Sequence, residues 1–397
     1  MTEPIQQGTL RSVDTDLQNA IRLSLDSDAA FALWKLPDST AVYFAGSRHP
    51  VGIHEVVLED MKPGFLFAPF DPGEKKILLP ADEFFVHQEG KLSNVQGEWA
   101  DVLTRMPVES ASSTPHAYHI RQTDSGRAAE QSGYEDLVNQ CREAIIGGRF
   151  EKLVPTRFKE VAIPEKFDLA LLFLELGRRY PSAMVSVFSS PQSGTWIGAT
   201  PEMLVKVDAN QHFHTVAVAG TQRYIPGTDL RSITWTQKEI EEQALVERYI
   251  ISCFKKIRLR EFDERGPRTV IAGNVVHLKT EFEVDMEATR YPQLGSVMLQ
   301  LLHPTSAVCG MPMEASMAFL KENEGYSRQF YSGYLGPVGI NNEVQLFVNL
   351  RCMQLGKGIA RLYAGGGVLG DSDPEKEWQE TELKLNTLLS VIRNYLT

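Results

Sequence analysis

Hydrophobic residues between Tyr134 and Ile145 recur every three or four positions, which is the spacing of one face of an α-helix. Gly147 follows directly and predicts the end of that helix. The next segment, 150–157 (FEKLVPTR), has the apolar centre of a buried strand, and 167–180 shows a second helical pattern. Helices and short strands are therefore expected to alternate in this region of the chain.

Four further strand patterns follow one another through short turns, with no helical pattern between them. They cover 184–188, 195–198, 204–207 and 214–218. Parallel strands need a long crossover, so these short connections predict antiparallel sheets with helices packed outside them. Strands of the same kind are predicted nearer the N-terminus, at 41–45, 76–79 and 83–86.

The segment 107–130 differs from both neighbouring regions. It is rich in Ser, Thr and other polar residues and has no apolar period, which predicts a long surface connection. It divides the chain into an N-terminal region, residues 1–106, and a longer region, residues 131–397. No repeat of 20 to 50 residues is visible, so a solenoid is disfavoured.

Composition and charge narrow the class of protein. The 397 residues include 40 Lys and Arg against 51 Asp and Glu, a formal net charge of −11, and 43% are hydrophobic, enough for a sizeable core. The acidic balance disfavours nucleic acid or an anionic membrane as a partner. No apolar run approaches the length of a membrane span. The N-terminus shows no signal or transit pattern, so we expect a cytoplasmic protein.

The four cysteines lie far apart and form no CxxC or Cys/His cluster. They are Cys141, Cys253, Cys309 and Cys352. This spacing argues against a structural zinc site or a disulfide framework, and we expect buried free thiols.

Two polar residues interrupt apolar strand patterns. Lys152 lies within FEKLVPTR, and Glu202 follows the turn-like Thr200-Pro201. Each residue alone is compatible with an ordinary solvated side chain, because lysine and glutamate are rarely buried. Their chemistry becomes informative only if the fold brings them together.

Three glutamates lie on charged helical patterns, Glu242 in KEIEEQALV and Glu377 and Glu380 in EKEWQETELKL. Glutamates in such patterns usually mark a solvated helix face. Carboxylates from separate helices can also converge on Mg²⁺, which prefers oxygen ligands. The sequence leaves both interpretations open.

The run 362–370 (LYAGGGVLG) places three glycines after an apolar strand. It is neither GxGxxG nor a phosphate-binding loop, but its backbone amides could approach an anion. Arg351 and Lys384 could add cations to such a pocket. The combination suits a small polyanion such as a dicarboxylate.

Nine segments, taken in order, resemble the motifs of chorismate-utilising enzymes, and the resemblance covers Tyr134 to Ile392. They are FEKLVPTR, WIGATPEMLV, AVAGTQR, KEIEEQALV, HLKTEF, LLHPTSAVCGMP, RQFYSG, VNLR and LYAGGGVLGDSDPEKEWQETELKL. The resemblance implies an α+β fold, a single large domain over 1–397 in which antiparallel sheets are wrapped by helices. Residues 1–106 are then expected to belong to the same body.

Members of that family differ in the nucleophile that attacks chorismate. The lysine of FEKLVPTR activates water in isochorismate and salicylate synthases and is present here as Lys152. Ala219 stands where aminodeoxychorismate synthases have a nucleophilic lysine, and HPTSAV is similar to the HPTPAL of isochorismate synthases. The resemblance thus implies isochorismate synthase activity. Salicylate synthase and the large subunit of an ammonia-using anthranilate or aminodeoxychorismate synthase are the alternatives.

The resemblance also implies roles for individual residues. Lys152 is the expected base and Glu202 the expected acid, while Glu242, Glu380 and Glu377 are expected to hold Mg²⁺, Glu377 directly or through water. The expected substrate contacts are Gly220, Thr221, His277, Ala307, Val308, Tyr331, Arg351, Gly365, Gly367 and Lys384. No glutaminase partner is expected, and the oligomeric state stays open.

One position departs from the family pattern, because this sequence has Glu242-Gln243 where Glu-His is usual, and glutamine cannot titrate as histidine does. The surroundings of the expected metal site therefore differ from those of the family pattern. A non-catalytic binding paralogue is the hypothesis from a different class. The pathway that would use isochorismate, to menaquinone, siderophores or salicylate, is not determined by these residues.

Overall fold

A computed structural model describes residues 13–99, 118–121, 130–164, 168–272 and 275–393. Of the predicted surface connection 107–130, only 118–121 and 130 are among these residues, so its boundaries stay a prediction. Within the described ranges, the strands form two nine-stranded antiparallel sheets and one short two-stranded sheet. The prediction of antiparallel sheets is confirmed.

The first sheet combines strands from both ends of the chain. Its strands are β1 (Ala30–Lys35), β2 (Val42–Ser47), β6 (Glu83–Gln88), β7 (Lys91–Gln96), β9 (Thr156–Ala162), β10 (Met184–Ser190), β11 (Gly194–Thr200), β19 (Cys352–Leu355) and β20 (Ile359–Gly365). Their order is β7-β6-β2-β1-β10-β11-β19-β20-β9. β1 pairs with β10, so strands from the N-terminal region lie in the same sheet as the motif-bearing strands.

The second sheet is built in the same way. Its strands are β3 (Val51–Ile53), β4 (Gly64–Ala68), β5 (Lys76–Pro80), β12 (Met203–Val207), β13 (His212–Arg223), β14 (Asp263–Ala272), β15 (Val275–Asp285), β17 (Tyr334–Ile340) and β18 (Glu343–Val348). Their order is β14-β15-β13-β12-β18-β17-β4-β5-β3. The short sheet pairs β8 (Lys152–Leu153) with β16 (Gly310–Met311).

Seven α-helices are present in the described ranges: α1 (Val13–Asp26), α2 (Gln131–Ile146), α3 (Leu169–Arg179), α4 (Gln237–Lys256), α5 (Leu294–Leu302), α6 (Met313–Asn323) and α7 (Pro374–Ile392). α2 and α3 match the two predicted helices, and Gly147 caps α2 as expected. Pro374 at the start of α7 follows the capping side chain of Asp373, a favourable helix beginning. None of the described helices is long and apolar enough to cross a membrane.

Side-chain alternation along β1 shows how the layers are arranged. Phe31 and Leu33 pack into a core formed with the outer helices α1, α3 and α7, whereas Trp34 points to the opposite face. There it joins Phe65 and Phe67 of the second sheet in an aromatic core. The two large sheets therefore face each other, with helices on their outer faces, the α+β architecture that the sequence predicted.

Candidate active site

One cavity collects residues from both large sheets, the short sheet and two helices. All the site residues predicted from the sequence line it, except Glu377. The walls come from β8, β13, β15 and β20, from the ends of β11 and β18, and from α4 and α7. Residues separated by more than two hundred positions therefore line the same cavity.

Lys152 is placed in this cavity by the short sheet. It pairs with Met311 in β16, and its neighbour Leu153 donates its N–H to the carbonyl of Val368 at 3.2 Å. Side chains alternate along a strand, so Leu153 enters the apolar core while Lys152 faces the cavity. Lys152 is only 2% exposed, which excludes the solvated interpretation.

The three consecutive glycines make room for side chains. A Cβ at Gly367 would lie 2.8 Å from Lys152 Cε, and one at Gly366 would lie 2.9 Å from Glu377 Oε2. A Cβ at Gly365 would lie 2.6 Å from Thr156 Cγ2. Close packing against polar side chains therefore explains this run.

Glu202 follows the end of β11 and is fixed by its backbone. Its N–H donates to Thr200 Oγ1 at 3.3 Å, and its carbonyl accepts the N–H of Val348 at 2.9 Å. Burial raises the pKa of Glu202 to about 7, against the opposing positive charges of Lys152, Lys384 and Arg351. Near neutral pH the carboxyl group is thus present in both forms, as suits a proton donor.

His277 has a defined tautomer. Its Nδ1 lies 2.7 Å from the carbonyl oxygen of Gly220, which can only accept, so Nδ1 carries a proton. Burial lowers the pKa of His277 to about 4, and the charge of Arg351 acts in the same direction. The ring is neutral at pH 7, and its buried Nε2 is an acceptor without a protein partner among the described residues.

Aromatic stacking supports the wall that carries Tyr331. Tyr331 stacks on Tyr363 at 5.1 Å between ring centroids, and Tyr363 stacks on Trp196 at 5.4 Å. Arg351 lies beyond the end of β18 with a left-handed backbone, φ 48°. Together these elements set an aromatic surface and a cation on the same cavity.

Lysines neutralise two of the three glutamates proposed for the metal. Glu380 accepts from Lys384 at 2.6 Å, and Glu377 accepts from Lys238 at 2.5 Å. Burial acts to raise the pKa of Glu380, but Lys384 holds it below the usual range. Burial and the charge of Glu380 raise the pKa of Glu377.

The donor chemistry of these glutamates fits a hard divalent cation. Glu242 and Glu380 line the cavity from α4 and α7, and the buried Oε2 of Glu377 has no partner within the described structure. Among the described residues, no three His, Cys, Asp or Glu side chains already form a metal-sized cluster. The carboxylates fit as ligands only if the lysine contacts rearrange.

A protein-family model described as "Chorismate binding enzyme" matches residues 75–393. The chain belongs to this family. The match begins upstream of the motif resemblance, which started at Tyr134, and so includes β5 to β7 of the N-terminal region.

Named relatives and solved structures agree with this membership. The isochorismate synthase EntC of Escherichia coli strain K12 is 26% identical over 328 residues, covering 81% of this chain and 79% of EntC. The structure of MenF, the menaquinone-specific isochorismate synthase from E. coli, has a TM-score of 0.70 at 20% identity, covering 91% and 88% of the two chains. Anthranilate synthase component I from Streptococcus pneumoniae gives 0.64 at 18%, covering 90% and 89%. The shared fold therefore includes family members named for different reactions.

Gln243, the departure from the family pattern, faces away from the cavity. Its Nε2 donates to the carbonyl of Ala217 at 3.2 Å and to Thr280 Oγ1 at 3.2 Å, which ties α4 to β13 and β15. Gln243 is 1% exposed and absent from the cavity wall. Gln243 therefore holds α4, the helix that carries Glu242, against the second sheet.

Several cavity residues were not predicted as site residues. They are Val154, Pro201, Val218, Ala219, Ser332, Leu350, Tyr363 and Ala364. Tyr363 lies two positions before Gly365 on β20, so strand alternation could have identified it. Most of the others adjoin predicted residues within the same motifs, where only the turn geometry decides which side chain faces inward.

Proposed function

We propose that this protein is an isochorismate synthase, which converts chorismate to isochorismate. The observation that carries the proposal is that buried Lys152 and half-buried Glu202 line one cavity, with the pKa of Glu202 raised to about 7. Addition of water requires a base that accepts a proton, and loss of the hydroxyl requires an acid that donates one.

The proposed reaction exchanges one oxygen for another on the ring. Lys152 takes a proton from the water that attacks ring carbon 2, and the ring double bonds shift as the bond between carbon 4 and its hydroxyl breaks. Glu202 gives its proton to the departing hydroxyl, which leaves as water. One water enters and one leaves, so the reaction is a net isomerisation.

We assign the two substrate carboxylates to the cationic and amide groups of the cavity. Arg351 offers a planar pair of donors, and the Tyr331 hydroxyl adds another. Lys384 uses two contacts, to Glu380 and to the carbonyl of Gly365 at 2.8 Å, and retains a third ammonium proton. Thr221 and the backbone near Gly220, Gly365 and Gly367 complete this assignment, and His277, Ala307 and Val308 border the ring.

We assign Mg²⁺ to Glu242 and Glu380, with Glu377 acting directly or through water. The ion, when bound, supplies positive charge that holds the ring carboxylate. The lysine contacts of Glu377 and Glu380 neutralise these carboxylates in the protein alone. Four buried free cysteines support the proposed cytoplasmic location, where thiols stay reduced.

The alternatives use the same fold and differ in chemistry. An aminodeoxychorismate synthase subunit is disfavoured because Ala219 occupies the cavity position at which those enzymes have a nucleophilic lysine. An anthranilate synthase subunit is disfavoured because the HPTSAV segment is similar to that of isochorismate synthases and differs from that of the ammonia-using enzymes. A salicylate synthase would use the same water addition and then eliminate pyruvate. We also propose that no glutaminase subunit is needed, because water is the nucleophile.

Product analysis tests the proposal. Purified protein is incubated with chorismate and Mg²⁺, with and without ammonium, and the products are separated by chromatography. Isochorismate is expected in both reactions without glutamine or a second subunit. Formation of anthranilate or aminodeoxychorismate with no isochorismate overturns the proposal, and salicylate with pyruvate would identify the second alternative.

A further inference from the structure

Asn349 joins two turns that carry proposed substrate contacts. Its side-chain Nδ2 donates to the carbonyl of Phe330 at 2.8 Å, and its N–H donates to the carbonyl of Gly333 at 2.8 Å. Its own carbonyl accepts the N–H of Ser332 at 3.0 Å. Three hydrogen bonds from one residue, which is 2% exposed, therefore hold the turn 330–333 that contains Tyr331.

The segment around Asn349 also reaches the other side of the cavity. Val348 bonds to Glu202 through its N–H and accepts the hydroxyl of Thr200 at 2.6 Å. Two positions beyond Asn349, Arg351 bonds through its carbonyl to the N–H of Ala199 at 3.0 Å. The segment 348–351 is thus hydrogen-bonded both to the segment 199–202, which carries Glu202, and to the turn 330–333, which carries Tyr331.

Backbone strain occurs on both sides of this junction. Ser332 has φ 62° and Arg351 has φ 48°, left-handed conformations that non-glycine residues adopt only when their surroundings hold them. Ser332 is held directly by the carbonyl of Asn349. Side chains at such positions keep a fixed direction, which is useful for groups that must meet one rigid ligand.

We propose that Asn349 is a positioning residue that fixes Tyr331 relative to Arg351, and thereby sets the affinity for the substrate dicarboxylate. The inference rests on the proposed function, because it takes chorismate as the ligand of Tyr331 and Arg351. Asn349 itself is absent from the cavity wall, so it acts through the turn that it holds.

Asn349→Ala tests this role. The Phe330 carbonyl keeps the N–H of Gly333 at 3.1 Å, so the turn can still form, but it loses its side-chain anchor. We expect KM for chorismate, and its dissociation constant by calorimetry, to rise by about tenfold, with kcat changed by less than about threefold. A KM within about twofold of the wild-type value overturns the proposal, as does a loss confined to kcat.

Asn323→Ala is the matched control. Asn323 Nδ2 donates to the carbonyl of Phe319 at 2.7 Å on α6, the same kind of bond away from the cavity. This variant should leave the chorismate affinity unchanged. If Asn349→Ala fails to fold, Asn349→Leu retains a similar volume but lacks the side-chain donor, and the same rise in KM is expected.

A double-mutant cycle with Tyr331→Phe separates positioning from a general loss of structure. If Asn349 acts through Tyr331, the combined variant should raise KM by clearly less than the product of the single effects. Strictly multiplicative effects overturn the proposal. Calorimetric binding of chorismate does not depend on the product formed. A wild-type protein that binds chorismate but makes another product therefore refutes the proposed function, while the effect of Asn349 on chorismate affinity can still be measured.

Discussion

Gly367 packs directly against Lys152. A Cβ at this glycine would lie 2.8 Å from Lys152 Cε, 3.1 Å from its Nζ and 3.2 Å from Glu242 Oε1. The absence of a side chain at Gly367 therefore allows the lysine and the glutamate to share one side of the cavity. Because Gly367 has no left-handed backbone requirement in this structure, space is the reason for the glycine.

Gly367→Ala should displace Lys152 without unfolding the protein. The added methyl group must move either the lysine or the glutamate, and misplacement of about 1 Å can reduce a rate by about 10²-fold. We expect kcat to fall by that order, measured by isochorismate formation. Gly133→Ala is the control, because nothing described lies within 4 Å of its added Cβ, and its kcat should not change. Normal kcat in Gly367→Ala would contradict the proposed placement of Lys152.

Lys152→Ala should lose the chemical step and retain binding. The residue is proposed to take the proton from water, and general bases contribute about 10²–10⁴-fold to rates. We expect kcat to fall by that factor while the calorimetric affinity for chorismate stays within a few-fold. Lys357→Ala, at an exposed lysine, should behave like the wild type. A Lys152→Ala protein with lost binding and normal kcat would make Lys152 a substrate clamp.

The sequence predicted local elements well because their signals are local. The strand patterns at 184–188 and 195–198 became β10 and β11, and the helical spacing from Tyr134 to Ile145 became α2. The cavity residues were found through motif resemblance, since no periodicity links Lys152 to Glu202.

Contacts between distant segments could not be predicted in this way. Lys238 pairs with Glu377 across 139 positions, and nothing in either helical pattern distinguishes these residues from solvated ones. Asn349 belongs to the VNLR motif, but nothing in the sequence marks it as a positioning residue. Its proposed role depends on a hydrogen bond to Phe330, which lies 19 residues away in the chain. Tertiary packing decides such pairs, and a single sequence does not show it.

Glu202 should make stability depend on pH. Its pKa is raised from 4.5 to about 7 by burial, so folding favours the protonated form. That stabilisation is complete below about pH 4.5 and is lost as the pH rises through about 7. Relative to Glu202→Gln, the metal-free wild type should therefore lose stability over this range, by at most about 3 kcal/mol at about 1.36 kcal/mol per pKa unit.

Thermal unfolding of both proteins from about pH 4.5 to about pH 8 measures this difference. A constant gap in Tm between wild type and Glu202→Gln would show that the carboxyl group titrates near its ordinary pKa. Activity gives a second readout, because the proton donor must be protonated. In the pH profile of the wild type, kcat/KM should therefore fall above about pH 7, as Glu202 loses its proton.

The buried ion pair of Glu324 and Arg328 should stabilise the cavity wall. Both side chains are 2% exposed, and Arg328 also donates to the carbonyls of Val154 at 2.8 Å and Val308 at 2.7 Å. Arg328→Met leaves a buried carboxylate unpaired, which typically costs about 3–5 kcal/mol. We expect a loss of that size in chemical denaturation, while Glu324→Leu/Arg328→Met should lose clearly less than the sum of the single variants.

Glu380 should control the affinity for Mg²⁺, and this can be measured without turnover. Removing one of the proposed carboxylate ligands takes away both a donor oxygen and a negative charge, so Glu380→Ala should weaken Mg²⁺ binding by at least about tenfold in calorimetry. Glu375→Ala is the matched control, since Glu375 lies exposed on the first turn of the same helix α7. It should bind Mg²⁺ as the wild type does.

Chelation with EDTA should abolish turnover of the wild type, and restored turnover should follow added Mg²⁺. Unchanged Mg²⁺ affinity in Glu380→Ala, or full activity in metal-free buffer, would remove the metal from the proposed site.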